Sequence, residues 1–302
     1  MASFDLEKKM DISYPVVTRS TVSKIDGVWR AGHAPWPTDA RCVVTITIDF
    51  DGTANEVGKG LEPFGGHSAG RYSARRGIAR HLDLFDRLGV PATFFVPGYD
   101  AQCSPEAVRS IAAAGHEIGA HGYVHEGILL PPQEERRRLK LTHSILSELL
   151  GRAPVGWRSP SGQKTGITLP VLHELGYRYD ASDKDADMPY LLDLGQARKM
   201  VEIPNNTYSL DDFPWFNFSM TPVSEVVEQW KEEFDAIYAS RGFFMLTVHP
   251  RSGWGSGTPR RTAALEEVLR HIRRHAGVHF MRLNELSDWI SANQDAFEEV
   301  RI

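Results

Sequence analysis

Short apolar runs alternate with amphipathic segments along most of the chain. Runs such as VVTITID, ATFFVPG and FFMLTVHP are rich in β-branched and aromatic residues, which is typical of buried strands. The segments between them have helical spacing: RGIARHLDLFDRLG places Ile78, Leu82, Phe85 and Leu88 on one face and ends at Gly89. Roughly seven or eight strand-then-helix units predict an α/β fold with a parallel sheet, most economically closed into a barrel.

Two further segments carry helix signals. In SPEAVRSIAAAG, Ser104 is the predicted N-cap and Pro105 occupies the first helical position. The segment PQEERRRLKLTHSILSELLG directs its arginines and glutamates outward, and its predicted inward residues are Leu139, Thr142, Leu146 and Leu149. Both segments fit the helical half of a strand-then-helix unit.

The first 40 residues lack this alternation and are polar and dotted with proline, as in HAPWPTD. They predict an N-terminal arm, residues 1–40, laid on a single catalytic domain, residues 41–302. The length of 302 residues suits one α/β barrel. No strong internal repeat or linker is visible in the sequence.

Composition narrows the class of protein. The formal net charge of −5 and the scattered Lys and Arg residues give no reason to expect nucleic acid. No apolar run approaches the ~20 residues that span a membrane. The N-terminus lacks the build of a secretion signal, and Cys42 and Cys103 are too few for a disulfide scaffold. We expect a cytoplasmic protein; the alternative is a secreted protein whose signal is missing from this sequence.

Polar, chemically competent residues stand at or just past the ends of the strand-like runs. In barrels of this kind the carboxyl ends of the strands form one face, and that face carries the chemistry. The sequence therefore predicts that residues far apart along the chain meet there, namely Asp49, Asp51, His121, Arg158, Asp180 and His249.

The two aspartates in TIDFDG would repel each other unless a positive charge lies beside them. In AHGYVHEG, His121 and His125 stand four residues apart among glycines, a separation that brings two imidazoles to one side. With 12 histidines in the chain, about one such pair arises by chance. The pair His271 and His275 lies among arginines on a predicted surface helix, where a cation would be repelled. We therefore predict a metal ion at the first pair.

The ordered motifs TIDFDG, HGYVH, RSPSG and LTVH resemble the signature set of the polysaccharide deacetylase superfamily, also called carbohydrate esterase family 4. The resemblance runs from about residue 43 to at least residue 250. It implies a distorted (β/α) barrel of about seven parallel strands. It also implies hydrolysis of amide or ester acyl groups with zinc or another divalent ion.

Carried over by position, the resemblance implies that Asp51, His121 and His125 are the metal ligands, with Zn²⁺ as the first expectation. Three protein ligands leave positions open for water and substrate, and a bound divalent ion lowers the pKa of that water toward ~7. The sequence resembles the cytoplasmic branch of this superfamily, and some members of that branch are described as working without a bound metal. Metal content is therefore a matter for measurement.

The resemblance implies that Asp49 is the general base, that Arg158 holds it, and that His249 is the general acid. Asp49 lies two strand positions before Asp51 and so faces the same side. The alternatives are a surface arginine for Arg158 and a core histidine for His249. Asp180, at the end of YRYD, is the candidate that orients His249. Its competitors for that role are Asp183, Asp185 and Asp187.

Two features depart from the common pattern of the superfamily. Phe50 separates the two aspartates that are usually adjacent, and YDASDKDADMPY replaces the usual fourth motif. Together with YSARRG, these features resemble the cytoplasmic branch of the superfamily. That branch contains peptidoglycan-deacetylase-like proteins, cyclic imide hydrolases and allantoinase-type ureide hydrolases.

The sequence thus predicts a metal-dependent amidohydrolase acting on a non-peptide C–N bond, with a small cyclic imide or ureide as the preferred substrate. The first alternative is N-deacetylation of an N-acetylhexosamine in peptidoglycan or another glycan; a further alternative is a catalytically silent binding barrel. A glycan enzyme should have an open groove lined by aromatic residues, and a ring hydrolase should have a closed pocket. Similar proteins form tetramers, so we expect a homo-oligomer. The candidate substrate-binding residues are Tyr72, Arg75 and Trp254.

Overall fold

The structure of the protein is a computed structural model that describes residues 36–37 and 39–302. The predicted N-terminal arm, residues 1–40, therefore lies largely outside the described residues, and the division into an arm and one domain stays a prediction. Within the described part of the chain, no helix is both long and apolar enough to cross a bilayer.

Ten strands form one sheet in the described part of the chain. Their bounds are Cys42–Asp49 (β1), Thr93–Val96 (β2), Glu117–Ala120 (β3), Gly156–Trp157 (β4), Tyr179–Asp180 (β5), Tyr190–Asp193 (β6), Lys199–Glu202 (β7), Phe243–Val248 (β8), Val278–Phe280 (β9) and Glu299–Arg301 (β10).

The helices alternate with these strands. Their bounds are Ala54–Gly58 (α1), Ile78–Leu88 (α2), Gly98–Cys103 (α3), Pro105–Ala113 (α4), Pro132–Leu150 (α5), Thr168–Glu174 (α6), Val223–Ala239 (α7), Pro259–Ile272 (α8) and Leu283–Ala292 (α9). Two π-helical turns, Ser73–Gly77 and Pro214–Phe218, precede α2 and α7.

Seven adjacent strands run parallel, in the order β8-β1-β2-β3-β4-β5-β7. The hairpin partner β6 is antiparallel to β7, and β10 extends that edge. The predicted α/β class with about seven parallel strands is confirmed. Among the described residues, no ladder joins β10 back to β8, so the barrel is not closed by hydrogen bonds. A single parallel bridge, Asp211 to Thr247, lies on the free side of β8.

The helices follow the curve of the sheet, with α7 packed on α8, α8 on α2, α2 on α4, α4 on α5 and α5 on α6. Strand β1 shows why the fold places polar groups inside this curve. Val44, Ile46 and Ile48 lie in the apolar core that includes residues of these helices. By the two-residue period of a strand, Thr47 and Asp49 point to the opposite, inner face. The predicted barrel interior therefore receives the carboxylate that ends the strand.

Two predicted helix ends are confirmed. Gly89 ends α2 with φ 60°, the left-handed conformation that glycine adopts without strain, as predicted. Ser104 stands at the N-cap position of α4 and Pro105 opens that helix, as predicted, although the Ser104 side chain makes no capping hydrogen bond. Leu139, Thr142 and Leu146 are buried on α5 as expected.

The loop after β8 packs against the π-helical turn before α2. A Cβ atom built on Gly77 would stand 1.6 Å from the carbonyl oxygen of Pro250 and 2.6 Å from its carbonyl carbon. Both contacts are with backbone, which cannot rotate away. Gly77 therefore lets the chain just after His249 approach α2 closely.

We predict that Gly77→Ala lowers the free energy of unfolding by about 1–3 kcal/mol, because an added methyl group must displace packed backbone. The measurement is urea unfolding followed by circular dichroism. Gly66→Ala is the matched control, since no atom lies within 4 Å of a Cβ at Gly66 and its φ is not positive. Equal stability of the two variants would contradict the prediction.

Candidate active site and metal centre

The site begins where β1 ends, at two buried aspartates that are 7% exposed (Asp49) and 2% exposed (Asp51). Asp51 has φ 34°, a left-handed value that few non-glycine residues adopt. This backbone turn lets both carboxylates face the same space although Phe50, which is buried, lies between them. The division of the two aspartates is thus accommodated by the turn at Asp51.

Asp100, which sequence reasoning missed, holds this turn from below. Its carboxylate accepts hydrogen bonds from the backbone N–H of Gly52 at 2.9 Å and of Ala54 at 3.0 Å, and from the Thr53 hydroxyl at 3.3 Å. Burial and the nearby Asp51 raise the pKa of Asp100 to about 7, although these hydrogen bonds act in the opposite direction. No motif marks Asp100, because it lies in the short helix α3 and not at a strand end.

His121 and His125 lie opposite Asp51. The Nε2 atom of His121 is 3.5 Å from Asp51 Oδ1, and the Nε2 atom of His125 is 3.3 Å from Asp51 Oδ2. The Nδ1–H group of His121 donates to the carbonyl oxygen of Arg158 at 2.8 Å. That bond fixes the tautomer and leaves the Nε2 lone pair free, the arrangement seen in histidines that bind metals.

These three side chains fit a metal ion. Their nearest ligand atoms all lie within 4.8 Å of one another. The buried Oδ1 atom of Asp51 has no hydrogen-bond donor within the described residues, which is costly unless a cation takes that place. Two imidazoles and one carboxylate are a ligand set that suits zinc. The assignment of Asp51, His121 and His125 as ligands stays a prediction.

The electrostatics of the two aspartates are set by their neighbours. Burial raises the pKa of Asp51, but the adjacent His125 and His121 imidazoles hold it well below its usual range. Burial also raises the pKa of Asp49, but the Arg158 guanidinium outweighs it and lowers that pKa below the ordinary value. Both carboxylates are ionised at neutral pH, the state required of a ligand and of a base.

Arg158 is 1% exposed, so it is not a surface arginine. Its Nη1 atom donates to Asp49 Oδ1 at 2.8 Å and to the Thr47 hydroxyl at 2.9 Å, and its Nε atom donates to the carbonyl oxygen of Ala181 at 2.9 Å. The guanidinium also lies 4.4 Å from the centroid of the Phe95 ring. Arg158 therefore fixes the position of Asp49 and keeps it charged.

His249 points its Nε2 atom at the same space, 4.0 Å from Asp49 Oδ2 and 3.8 Å from Asp51 Oδ2. Its Nδ1–H group donates to Asp212 Oδ1 at 2.6 Å, and its backbone N–H donates to Asp212 Oδ2 at 3.0 Å. Burial lowers the pKa of His249, but Asp212, Asp211 and Asp51 together raise it to about 10. His249 therefore carries a proton at neutral pH.

The structure corrects the expectation that Asp180 orients His249. Asp180 accepts a hydrogen bond from Lys164 Nζ at 2.6 Å and another from the Ser182 hydroxyl, and its carboxylate is not among the groups within 4.0 Å of His249. Asp212 takes the position beside His249 instead. It lies between Asp211, which forms the bridge to Thr247, and the π-helical turn Pro214–Phe218, so no strand-end pattern marks it.

A cavity of about 870 Å³ opens above these groups. Trp254 lines it and packs its ring 4.5 Å from the His249 ring, as expected for a substrate-binding candidate. Tyr72 and Arg75 do not line this cavity; both line a separate surface depression beside α2. The expectation that they bind substrate at this site is therefore not supported by their position.

The competing histidine pair lies elsewhere on the molecule. His271 lies in the last turn of α8 and His275 follows that helix, and both are only partly buried. Both face the exposed Asp235, and His271 Nε2 lies 2.7 Å from Asp235 Oδ1. The pair lies at the surface, as the sequence predicts. It has no link to the cavity.

Comparisons with known proteins agree with this geometry. The sequence profile described as polysaccharide deacetylase matches residues 70–179. The peptidoglycan deacetylase of Helicobacter pylori is 29% identical over 286 residues, covering 82% of this chain and 95% of that protein. A crystal structure of a polysaccharide deacetylase homologue from Mycobacterium smegmatis is 32% identical, with a TM-score of 0.80 over 88% of this chain and 95% of that one.

The PuuE allantoinase structure is also similar, at 26% identity and a TM-score of 0.76 over 85% of this chain and 93% of that one. The chain belongs to the polysaccharide deacetylase superfamily, carbohydrate esterase family 4. It is a hydrolase that acts on carbon–nitrogen bonds other than peptide bonds. The resemblance drawn from the four sequence motifs is confirmed.

We predict that purified protein binds about one zinc ion per chain and that the His121→Ala, His125→Ala double variant does not. Added zinc at about 100 times its dissociation constant should stabilise the wild type by about 2.7 kcal/mol and leave the double variant unchanged. The measurements are elemental analysis and thermal unfolding with and without zinc. His271→Ala is the matched control. Full metal content and activity in the double variant would contradict the ligand assignment.

We predict that Asp212→Asn moves the alkaline limb of the pH–activity profile to lower pH. Without the carboxylate, the pKa of His249 falls from about 10 toward its ordinary 6.5, and less of the acid form remains at pH 8. The ion pair of His249 with Asp212 contributes fully to the free energy of unfolding below the pKa of His249 in the unfolded chain. That contribution is lost as the pH rises through the pKa of His249 in the folded protein. The measurement is kcat/KM from pH 6 to 10, with Asp235→Asn as the control. An unchanged alkaline limb would exclude Asp212 from this role.

Proposed function

We propose that the protein is an N-deacetylase of N-acetylhexosamine units in peptidoglycan or a related glycan. The observation that carries this proposal is the form of the cavity. Its rim includes Tyr208, which is 78% exposed, and Phe218, which is 73% exposed, while Trp254 and Phe213 line its wall. Exposed aromatic rings at an open rim are the feature that we expect of a glycan groove.

The volume supports the same substrate class. A cavity of about 870 Å³ accommodates more than one sugar residue and is far larger than a single five-membered ring. The similarity to the peptidoglycan deacetylase of Helicobacter pylori over 82% of this chain adds to that support. The preference for a cyclic imide or ureide drawn from the sequence is therefore replaced by the glycan alternative.

The mechanism that we propose begins with Asp49. A divalent ion held by Asp51, His121 and His125, with zinc as our first candidate, would supply Lewis acidity and lower the pKa of water. Asp49, ionised by Arg158, accepts a proton from the attacking water as general base. Thr47 and Arg158 keep the Asp49 carboxylate in place, so little reorganisation is needed at this step.

His249 then acts as general acid. The C–N bond breaks readily only if the nitrogen leaves with a proton, and His249 is the protonated group beside Asp49 and Asp51. Asp212 holds the ring so that the Nε2–H group points into the cavity. Asp49 and His249 thus divide the base and acid roles, with opposite charges maintained by different partners.

A second candidate is hydrolysis of a cyclic ureide or imide. The observation that favours it is the likeness to the PuuE allantoinase, with a TM-score of 0.76. The separated aspartates are the sequence feature that accompanies it. A silent binding barrel is disfavoured, because the proposed base, acid and ligands all face one space.

We predict that the protein releases acetate from N-acetylglucosamine oligomers and from peptidoglycan fragments, and that Asp49→Asn lowers kcat about 10²–10⁴-fold, the usual worth of a general base. The measurement is acetate release, with hydantoin, succinimide and allantoin tested in parallel. Asp183→Asn is the control, because Asp183 interacts with Lys164 outside the centre. Thermal unfolding and metal content verify that each variant folds. Turnover of a cyclic amide with no acetate release would overturn the proposal.

A further inference from the structure

The Lys and Arg side chains that line the cavity differ in whether a carboxylate neutralises them. Arg138 is paired with Glu126 at 2.8 Å, and Arg158 is paired with Asp49 at 2.8 Å. The remaining cavity cations are Lys59 and Lys184. Neither has a carboxylate within 4.0 Å among the residues that the structure describes.

The two remaining lysines are placed differently. Lys59 follows the short helix α1, and its Nζ donates to Asn55 Oδ1 at 2.6 Å. The Nζ atom of Lys184 donates to the carbonyl oxygen of Ser182 at 3.0 Å, which leaves donor capacity on the ammonium group. Ser182 also lines the cavity, and its hydroxyl accepts from the backbone N–H of Ser159. Lys184 is thus tied to the loop that carries Arg158.

The backbone around Lys184 leaves room for this ammonium group. A Cβ atom on Gly162 would stand 3.0 Å from Lys184 Nζ, the flexible tip of that side chain. Gly162 has φ 73°, a conformation that also favours glycine, and it lines the same cavity. The lysine therefore reaches the cavity across a residue with no side chain.

Lys184 is an exposed residue, and none of the carboxylates near it among the described residues forms an ion pair with it. Partial burial and the Arg158 guanidinium lower the pKa of Lys184, while Asp183, Asp211 and Asp49 act in the opposite direction without reaching it as ion-pair partners. Asp183 is already bound to Lys164 at 2.6 Å, and Asp49 is already bound to Arg158. A carboxylate that enters the cavity would offset the repulsion between the two cations.

We propose that Lys184 binds a carboxylate of the substrate, and that the substrate class is an N-acetylated amino sugar with a carboxylate close to its acetamido group. This inference rests on the proposed deacetylase function. A lactyl ether on the ring carbon next to the acetamido carbon, as in N-acetylmuramic acid, has this chemistry. Its carboxylate lies a few bonds from the acyl group that reacts beside Asp49 and His249.

The experiment compares one disaccharide, N-acetylglucosamine joined to N-acetylmuramic acid with a free lactyl carboxylate, with its methyl ester. The ester keeps the size and removes the charge. Acetate release gives kcat and KM for the wild type, Lys184→Met and Lys184→Arg. Lys140→Met, an exposed lysine on α5, is the matched control. Calorimetric binding of both sugars to the folded Asp49→Asn variant gives a readout that does not need turnover.

We expect Lys184→Met to raise KM for the acid at least about tenfold, since a hydrogen bond to a charged group is worth ~1.5–3 kcal/mol. KM for the ester should change less than about twofold, and Lys184→Arg should recover part of the acid's affinity. Added salt should weaken binding of the acid more than binding of the ester.

Equal preference of the wild type for acid and ester, or equal loss for both in Lys184→Met, would overturn the inference while leaving the deacetylase function intact. Absence of acetate release from every N-acetylated sugar, together with turnover of a cyclic amide, would overturn both proposals. The two failures are therefore distinguishable.

Discussion

The site depends on one constraint: two carboxylates end the same buried strand and must both remain charged. A buried charge without a partner costs several kcal/mol, so each aspartate needs its own source of positive charge. Asp49 has Arg158 at 2.8 Å, and Asp51 has two imidazoles at 3.3 and 3.5 Å. These partners follow two other strands, β3 and β4, and the parallel sheet is what brings them to one place. Without that convergence, the end of β1 would be electrostatically untenable.

A second layer of contacts keeps these charges in position. The buried Arg251 donates to the carbonyl oxygen of Asp51 at 3.3 Å, pairs with Glu56, and lies 4.6 Å from the centroid of the Trp254 ring. The same residue thus supports the strained turn at Asp51 and the ring that packs on His249. Because the turn at Asp51 and the Trp254 ring beside His249 share this support, a disturbance on the β8 side reaches the β1 side of the site.

Sequence patterns could predict the parts of the site that lie at strand ends. Asp49, Asp51, His121, Arg158 and His249 all follow apolar runs, and parallel strands place their carboxyl ends on one edge. Asp212 and Asp100 could not be predicted this way, because neither directly follows an apolar strand-like run and only tertiary contacts bring them to the site. Asp180 also ends a strand, yet its carboxylate pairs with Lys164. Position at a strand end therefore predicts which residues meet, but not which neighbour each one binds.

The difference between residues at strand ends and residues in the connecting segments explains how one fold can serve different substrates. The groups at the cavity floor come from strands that are buried in the sheet, so their geometry is tied to the core. The rim residues Tyr208 and Phe218 and the cation Lys184 come from loops and a π-helical turn outside the sheet, and such connecting segments vary at little cost to the core. The similar structures include both a polysaccharide deacetylase homologue and an allantoinase, which is the outcome expected if loops select the substrate and strands perform the chemistry. The residues that decide the substrate of this chain must therefore be sought at the rim, where an aromatic border and an unpaired ammonium group lie over the same catalytic floor.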